Sequence, residues 1–242
     1  DSLYFYEDEN YIFASVFDGC SQVVDSHFAS NLMKKTFKNE VEKQVELEKN
    51  RLQLHLSHNV EDPKSITEVA PEILSSFFKK LDLIRIELNL TVDDFNSTAI
   101  FLFYDKFYEQ GIIYAFGDGV ISINGELIVL DHDNKPHYFV LDWKKLVNGE
   151  GKMKEFFKEF KQIWTFDKIK NVIISTDGIL SFINDFALEH FFYDTQINNK
   201  EKIHQESFLE KKYNIAELNN WSHTDDLGII RIHQNEEVSN DI

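Results

Sequence analysis

The sequence has few of the residues that crosslink, divide or anchor a chain. Its single cysteine, Cys20, excludes an internal disulfide, which indicates a reducing compartment such as the cytoplasm. With three prolines and nine glycines there is no linker, and no segment repeats at a fixed period. No apolar run approaches the roughly 18 residues of a membrane span, and the start lacks the blocks of a signal peptide. We therefore expect one cytoplasmic domain over residues 1–242, trimmed at Asp1 where an initiator Met is missing, with a tail at 233–242.

Positive charge is scarce as well. The chain has 25 Lys and Arg against 42 Asp and Glu, which gives a formal net charge of −17. Nucleic acid is not an expected partner, because its phosphates require a basic surface. The same charge argues against docking on anionic lipid, so no membrane partner is expected either. Hydrophobic residues nevertheless make up 43% of the chain, including 22 Phe and 9 Tyr, and this composition argues against intrinsic disorder.

Hydrophobic patterning predicts a hairpin, two long helices, a meander of strands and then mixed elements. The hairpin joins 3–6 to 11–17, and the first helix runs from Ser26 to Lys49. The second helix begins at Ser65, where Ser65 and Glu68 form a capping box, and 56–64 between the helices is expected to be a loop. Later strands are expected at 97–104, 107–116, 120–130, 139–141, 163–166, 172–175 and 227–232, and later helices at 152–160, 184–191 and within 200–212. This order predicts an α+β layered fold with antiparallel sheets, since a doubly wound parallel sheet would alternate strand and helix regularly.

Acidic residues lie at the ends of several predicted strands. They are Asp1, Asp18, Asp177, Asp225 and Asp226. Carboxylates held at strand ends repel one another when they meet, unless a cation lies between them. Hard divalent ions such as Mg²⁺ and Mn²⁺ prefer such oxygen ligands. The alternative is structural, because Asp-Gly is a common turn signal and spacing alone does not bring these residues together.

Five short motifs follow one another along the chain. They are Phe17-Asp18-Gly19-Cys20, Asn96-Ser97-Thr98-Ala99, Gly117-Asp118-Gly119, Ser175-Thr176-Asp177-Gly178 and Asp225-Asp226-Leu227-Gly228-Ile229-Ile230. In type and order they resemble the motifs of the PP2C-type (PPM) metal-dependent Ser/Thr protein phosphatases, in a compact, bacterial-style form. The likeness spans nearly the whole chain. It implies a four-layer α-β-β-α sandwich with two central antiparallel sheets, and a site for two Mn²⁺ or Mg²⁺ ions at one end.

The resemblance implies a role for each residue of the site. Asp18 would bridge the two ions, and the carbonyl of Gly19 would ligate one of them. Asp177 and Asp225 would complete the protein ligands of the second ion, and Asp1 would contact metal or its waters.

Further acidic residues would have lesser roles by the same resemblance. Asp118 would support a turn near the site. Asp226 is a weaker candidate for a metal ligand than Asp225, because many members have Asn at that position. Asp93 or Asp94 would be a ligand of a third metal, although Ser181 occupies the position where that site needs an acidic residue.

The resemblance also implies the reaction. The two ions would lower the pKa of a bridging water, and the resulting hydroxide would attack the phosphorus of phosphoserine or phosphothreonine. Asp18, Asp177 and Asp225 would act through that water. The expected partners are a phosphorylated protein substrate and an opposing Ser/Thr kinase.

Departures from the family pattern leave two other functions open. Cys20 stands where many eukaryotic members carry a His acid, so the leaving-group acid is unassigned, with His27 and His223 as alternatives. No family motif contains an arginine; the arginines of the chain are Arg51, Arg85 and Arg231. A catalytically impaired pseudophosphatase that serves as a regulatory binding module is the first alternative, and a hydrolase of small phosphate esters is the second.

Overall fold

The structure is a computed structural model that describes residues 1–19, 26–58, 64–131, 140, 143, 162–182, 186–193 and 205–233. Its strands are β1 Ser2–Glu7, β2 Tyr11–Gly19, β3 Ser97–Asp105, β4 Gln110–Phe116, β5 Gly119–Ile123, β6 Glu126–Leu130, β7 Ile163–Asp167, β8 Asn171–Ser175 and β9 Ile229–His233. Its helices are α1 Ser26–His58, α2 Ile66–Glu87, α3 Phe186–Phe192 and α4 Gln205–Leu218, with 3-10 helices η1 Val92–Phe95 and η2 Asp177–Ser181.

The strands form two antiparallel sheets. The first sheet has the order β1-β2-β3-β4-β7 and the second has the order β6-β5-β8-β9. Within the first sheet, Ser2 lies opposite Phe17, and Asp18 lies opposite Thr98. Within the second, Ser175 at the end of β8 lies opposite both Val120 of β5 and Ile229 of β9. These two registers fix the positions of the ends of β2, β8 and β9, where the acidic residues lie.

The alternation of side chains along each strand creates separate hydrophobic layers. On β2, Phe13 and Phe17 pack in a cluster with Phe37 of α1 and with α2. Between them, Val16 points to the opposite face and joins the cluster between the sheets, which includes Ile174 of β8. A third cluster covers the outer face of the second sheet and contains Val120, Ile173, Phe191, Phe192 and Ala216. The layers are therefore helix, sheet, sheet and helix, as the resemblance implied.

The two long helices cover the first sheet through aromatic contacts. The ring of Phe37 contacts Phe17 and Phe77 edge-on, with centroids 6.4 and 6.0 Å apart, and Phe101 at 4.9 Å. Full burial of such a side chain contributes about 1.5–3 kcal/mol. Helix α2 begins as predicted after Ser65, whose backbone N–H donates to Oε2 of Glu68 at 3.0 Å. Among the described helices, none is long and apolar enough to cross a membrane.

Several boundaries differ from the sequence predictions. The loop predicted at 56–64 begins too early, since α1 continues to His58 because no proline interrupts it before Pro63. The strand predicted to begin at Phe107 begins at Gln110, because the carboxylate of Asp105 accepts the N–H groups of Phe107 and Tyr108 in a turn. The strand predicted at 139–141 is wrong at Val140, which is helical and buried.

Other predictions fall on residues that are not described. These are the remaining positions of 139–141, the helix at 152–160, the first residues of the helix at 184–191, the part of 200–212 before Gln205, and the tail beyond His233. The predicted run 120–130 divides into β5 and β6 at Asn124 and Gly125, which have positive φ angles of 52° and 99°.

Candidate metal and active site

Three carboxylates from distant parts of the chain share one end of the sandwich. Asp18 lies near the end of β2, Asp177 begins η2 directly after β8, and Asp225 precedes β9. Burial, followed by the negative charges of Asp177 and Asp225, raises the pKa of Asp18 from 3.8 to about 7. The charge of Asp226 adds to this effect. Such coupling requires short separations, because Coulomb energies fall with distance and with screening by water.

The strand register explains why Asp177 has acidic neighbours on both sides. Burial and the charges of Asp225 and Asp118 raise its pKa, while backbone N–H groups partly lower it. Asp118 is itself buried, in the turn that leads into β5. Because Ser175 lies opposite Val120 and Ile229, the starts of β5 and β9 flank Thr176 and Asp177, the two residues that follow β8.

Asp1 is joined to the same end by a hydrogen bond across the two sheets. The hydroxyl of Thr176 donates to Oδ2 of Asp1 at 2.8 Å, and it accepts the N–H of Gly228 at 2.9 Å. Thr176 directly precedes Asp177, so one hydroxyl connects the start of β1 with the end of β8 and the start of β9.

The backbone beside Asp18 is fixed by the neighbouring strand. Gly19 lies opposite Ser97, whose hydroxyl donates to the carbonyl of Asp18 at 2.6 Å. Ser97 follows η1, which carries the two acidic residues expected to serve a third metal. Of these, Asp94 accepts hydrogen bonds at Oδ2 from the N–H and the hydroxyl of Thr91, at 2.6 and 2.8 Å. That oxygen of Asp94 therefore caps η1, and Asp93 is exposed beside it.

The segment that carries Asp225 packs directly on η2. A Cβ at Gly178 would lie 1.8 Å from the carbonyl oxygen of Asp226, so only glycine permits this contact. The hydroxyl of Ser181 donates to the carbonyl of Gly178 at 2.7 Å and accepts the N–H of Asp225 at 3.3 Å. The carboxylate of Asp225 in turn accepts the N–H of Asp226 at 2.9 Å.

The two histidines proposed as acids have different surroundings. His27 is exposed at the beginning of α1. His223 has both ring nitrogens in hydrogen bonds, with Nδ1 2.8 Å from the carbonyl of Asp225 and Nε2 2.8 Å from the hydroxyl of Tyr213. Cys20, the residue that follows Gly19, lies outside the described residues.

Each arginine is engaged elsewhere. Arg51 pairs with Glu48 on α1, and Arg85 pairs with Asp82 on α2. Arg231 donates to the side chain of Asn171 and to a backbone carbonyl of α3. All three arginines are among the described residues, and these partners are not part of the acidic cluster.

The donors of the cluster fit a hard divalent cation in kind. They are carboxylate and carbonyl oxygens, and a cation between the carboxylates would relieve the repulsion that contributes to the raised pKa values of Asp18 and Asp177. Among the described residues, however, no three or more His, Cys, Asp or Glu side chains are already arranged so that they could hold a metal ion. The acidic side chains are thus neighbours, and binding would require them to turn toward a common point.

The sequence did not reveal the groups that hold these carboxylates. Thr176 lies inside a recognised motif, but nothing local indicates that its hydroxyl reaches Asp1. Tyr213 is one of many aromatic residues at helical spacing, and its contact with His223 depends on how α4 packs. In the sequence, Ser181 stands only where the family pattern has an acid.

Comparison with known proteins identifies the family. A family model described as Protein phosphatase 2C matches residues 1–211. The Ser/Thr phosphatase Stp1 of Staphylococcus aureus superposes with a TM-score of 0.54 at 11% identity, over 97% of this chain and 89% of that one. The SiaA-PP2C domain of Pseudomonas aeruginosa gives 0.51 at 13% identity, over 96% and 80%.

A third solved structure covers more than its phosphatase domain. The PP2C phosphatase domain of SpoIIE from Bacillus subtilis, with a fragment of its regulatory domain, gives a TM-score of 0.52 at 14% identity. That likeness covers 95% of this chain and 57% of the other. No curated protein sequence is significantly similar to the chain. The structural likenesses show the fold, and the family model covers most of the sequence, so this chain belongs to the protein phosphatase 2C family of metal-dependent Ser/Thr phosphatases.

Proposed function

We propose that this protein is a Mn²⁺- or Mg²⁺-dependent phosphatase that hydrolyses phosphoserine or phosphothreonine in a partner protein. The observation that carries the proposal is the convergence of Asp18, Asp177 and Asp225, where burial and the charges of Asp177 and Asp225 raise the pKa of Asp18 to about 7. Turn residues with no shared function have no physical reason to keep charges that repel one another at one end of the sandwich. In this proposal a single domain acts in the cytoplasm against a Ser/Thr kinase.

Five residues would hold two divalent ions. Asp18 would contact both, the carbonyl of Gly19 would contact one, and Asp177 and Asp225 would contact the other. Asp1 would contact an ion or its waters. When bound, the ions would lower the pKa of a bound water, so that it loses a proton and supplies hydroxide as the nucleophile, and they would supply positive charge for the phosphoryl oxygens.

The chain itself holds the proposed metal ligands in position. The hydroxyl of Ser97 fixes the backbone carbonyl of Asp18, and the hydroxyl of Thr176 fixes the carboxylate of Asp1. These contacts restrict the two residues before a metal binds, so less ordering remains when the carboxylates turn toward it. Because the cluster is negative, it repels a phosphate monoester until cations neutralise it, and we therefore expect activity to depend strictly on divalent metal.

The direct test measures phosphate release from p-nitrophenyl phosphate and from a phosphothreonine peptide, with Mn²⁺ and with EDTA. We expect turnover in Mn²⁺ alone, and a loss of roughly 100-fold or more in Asp177→Asn. The matched control is Asp167→Asn, which changes an exposed strand-end aspartate at the far end of the first sheet. Equal rates in Mn²⁺ and EDTA, or full activity in Asp177→Asn, would refute the proposal. A peptide slower than small metabolite esters would instead support the small-ester hydrolase.

A pseudophosphatase is the second candidate, and Ser181 favours it. Its hydroxyl is used to bind backbone groups of η2 and of the Asp225 segment, so it offers no carboxylate to a further ion. Calorimetric titration with Mn²⁺ separates the candidates, because a binding module without a metal site should show no heat of binding in the micromolar range.

A further inference from the structure

The carboxylate of Asp225 is carried by a short segment outside regular secondary structure. Asp18 and Asp177 are part of, or directly follow, buried strands, whereas residues 221–228 between α4 and β9 have no strand or helix. Asp225 is also exposed, so packing alone does not fix it. Something else must hold this side chain if it is to act together with the other two.

Three side chains surround the backbone of this segment. Ser181 accepts the N–H groups of Thr224 and Asp225, at 3.2 and 3.3 Å. His223 contacts the carbonyl of Asp225 through Nδ1, and Tyr213 of α4 contacts Nε2 of His223, both at 2.8 Å. Both backbone polar groups of Asp225 are therefore bound by side chains.

The chemistry of the partners fixes the histidine tautomer. A carbonyl oxygen only accepts hydrogen bonds, so Nδ1 of His223 carries a proton and donates it to Asp225. Nε2 contacts the hydroxyl of Tyr213, which as a hydroxyl can either donate to the neutral ring or accept from it when both nitrogens are protonated. The ring is also packed against Phe182, with centroids 5.0 Å apart, which restricts its rotation. Neither nitrogen of His223 is free to protonate a leaving group.

We infer that Ser181, His223 and Tyr213 are positioning residues that hold Asp225 for metal binding, and that His223 is not the acid of the reaction. This inference rests on the proposed function, because it assigns the three residues a role at the same metal site. It also explains the serine at position 181, since a hydroxyl both donates and accepts there whereas a carboxylate would repel Asp225. Partners of this kind around metal ligands typically change affinity by about 10–100-fold when removed.

The test measures the affinity for Mn²⁺ alone by calorimetry, in chains shown to be folded. We expect Ser181→Ala and His223→Ala to weaken binding roughly tenfold or more. His223→Asn should stay within about threefold of the parent, because its amide N–H lies near the position of Nδ1 and keeps the bond to the Asp225 carbonyl. Tyr213→Phe should also stay within about threefold of the parent, because Nδ1 of His223 keeps its bond to the Asp225 carbonyl. Ser222→Ala in the same segment and Tyr193→Phe, both at exposed positions, are the controls and should bind as the parent does.

Unchanged affinity in Ser181→Ala and His223→Ala would overturn the inference. So would a His223→Asn variant that binds Mn²⁺ normally but loses turnover of p-nitrophenyl phosphate, which is the behaviour of a general acid. A lower melting temperature with unchanged affinity would assign the residues a structural role only.

Amide hydrogen exchange gives a second readout that does not depend on metal. If the parent binds no Mn²⁺, the proposed function fails, and exchange still decides whether the segment is held. We expect faster exchange at Thr224 and Asp225 in Ser181→Ala than in Ser222→Ala. Equal exchange in the two variants would show that Ser181 holds nothing in place.

Discussion

Removal of the Asp18 carboxylate should stabilise the metal-free protein while it abolishes metal binding. The pKa of Asp18 is raised from 3.8 to about 7 by burial and by its acidic neighbours. The folded state therefore retains a proton that the unfolded chain releases, and stability falls as the pH rises from about 4 to about 7. This sign is opposite to that of a carboxylate in a salt bridge, whose pKa is lowered by folding.

The magnitude follows from the shift. One pKa unit corresponds to about 1.4 kcal/mol, so a change from 3.8 to about 7 corresponds to about 4 kcal/mol. Asp18 is half-buried, and water near the carboxylate reduces the effect, so we expect a gain of about 1–3 kcal/mol in Asp18→Asn at pH 8. Below about pH 4 both states of the parent are protonated, and the difference between parent and variant should vanish.

Urea unfolding in EDTA across this pH range is the assay. The parent should gain stability on addition of Mn²⁺, because ligand binding to the folded state stabilises it, and Asp18→Asn should gain none. Asp167→Asn at the far end of the sheet serves as the control and should follow the parent at every pH. If Asp18→Asn were less stable than the parent at pH 8 in EDTA, or if its effect did not grow with pH, the electrostatic argument would be wrong.

Three other substitutions test the packing around the site and in the core. Gly178→Ala places a methyl group 1.8 Å from the carbonyl of Asp226, so it should destabilise the fold by about 1–3 kcal/mol and weaken Mn²⁺ binding, measured by urea unfolding and calorimetry. Phe37→Ala removes a fully buried ring and should cost about 3–5 kcal/mol by urea unfolding, with little change in Mn²⁺ affinity if the protein stays folded. Ser65→Ala removes one partner of the capping box with Glu68 and should cost about 1 kcal/mol by the same measurement; a Ser65→Asp variant that matched the alanine variant would contradict the capping role.

Local chemistry made much of the fold predictable. Alternation of aromatic and aliphatic residues located β2, since Phe13 and Phe17 must face one layer and Val16 the other. The capping box located the start of α2, because the side chain of Glu68 reaches the N–H of Ser65 within one turn. The errors were at boundaries such as the end of α1, where a charged stretch has no residue that stops a helix until Pro63, and in the type of element at Val140, which is helical.

The amino-acid sequence by itself determined which residues have the chemistry of a metal site and that each follows or precedes a strand, because turns and side-chain periodicity depend on near neighbours. Only the tertiary structure decided that Asp1, Asp18, Asp177 and Asp225 share one end of the sandwich, since that depends on β8 lying between β5 and β9 and on the stacking of two sheets. The raised pKa of Asp18 and the hydrogen bonds of His223 are consequences of that arrangement. They arise from distances between residues far apart in the chain, and no local pattern contains those distances.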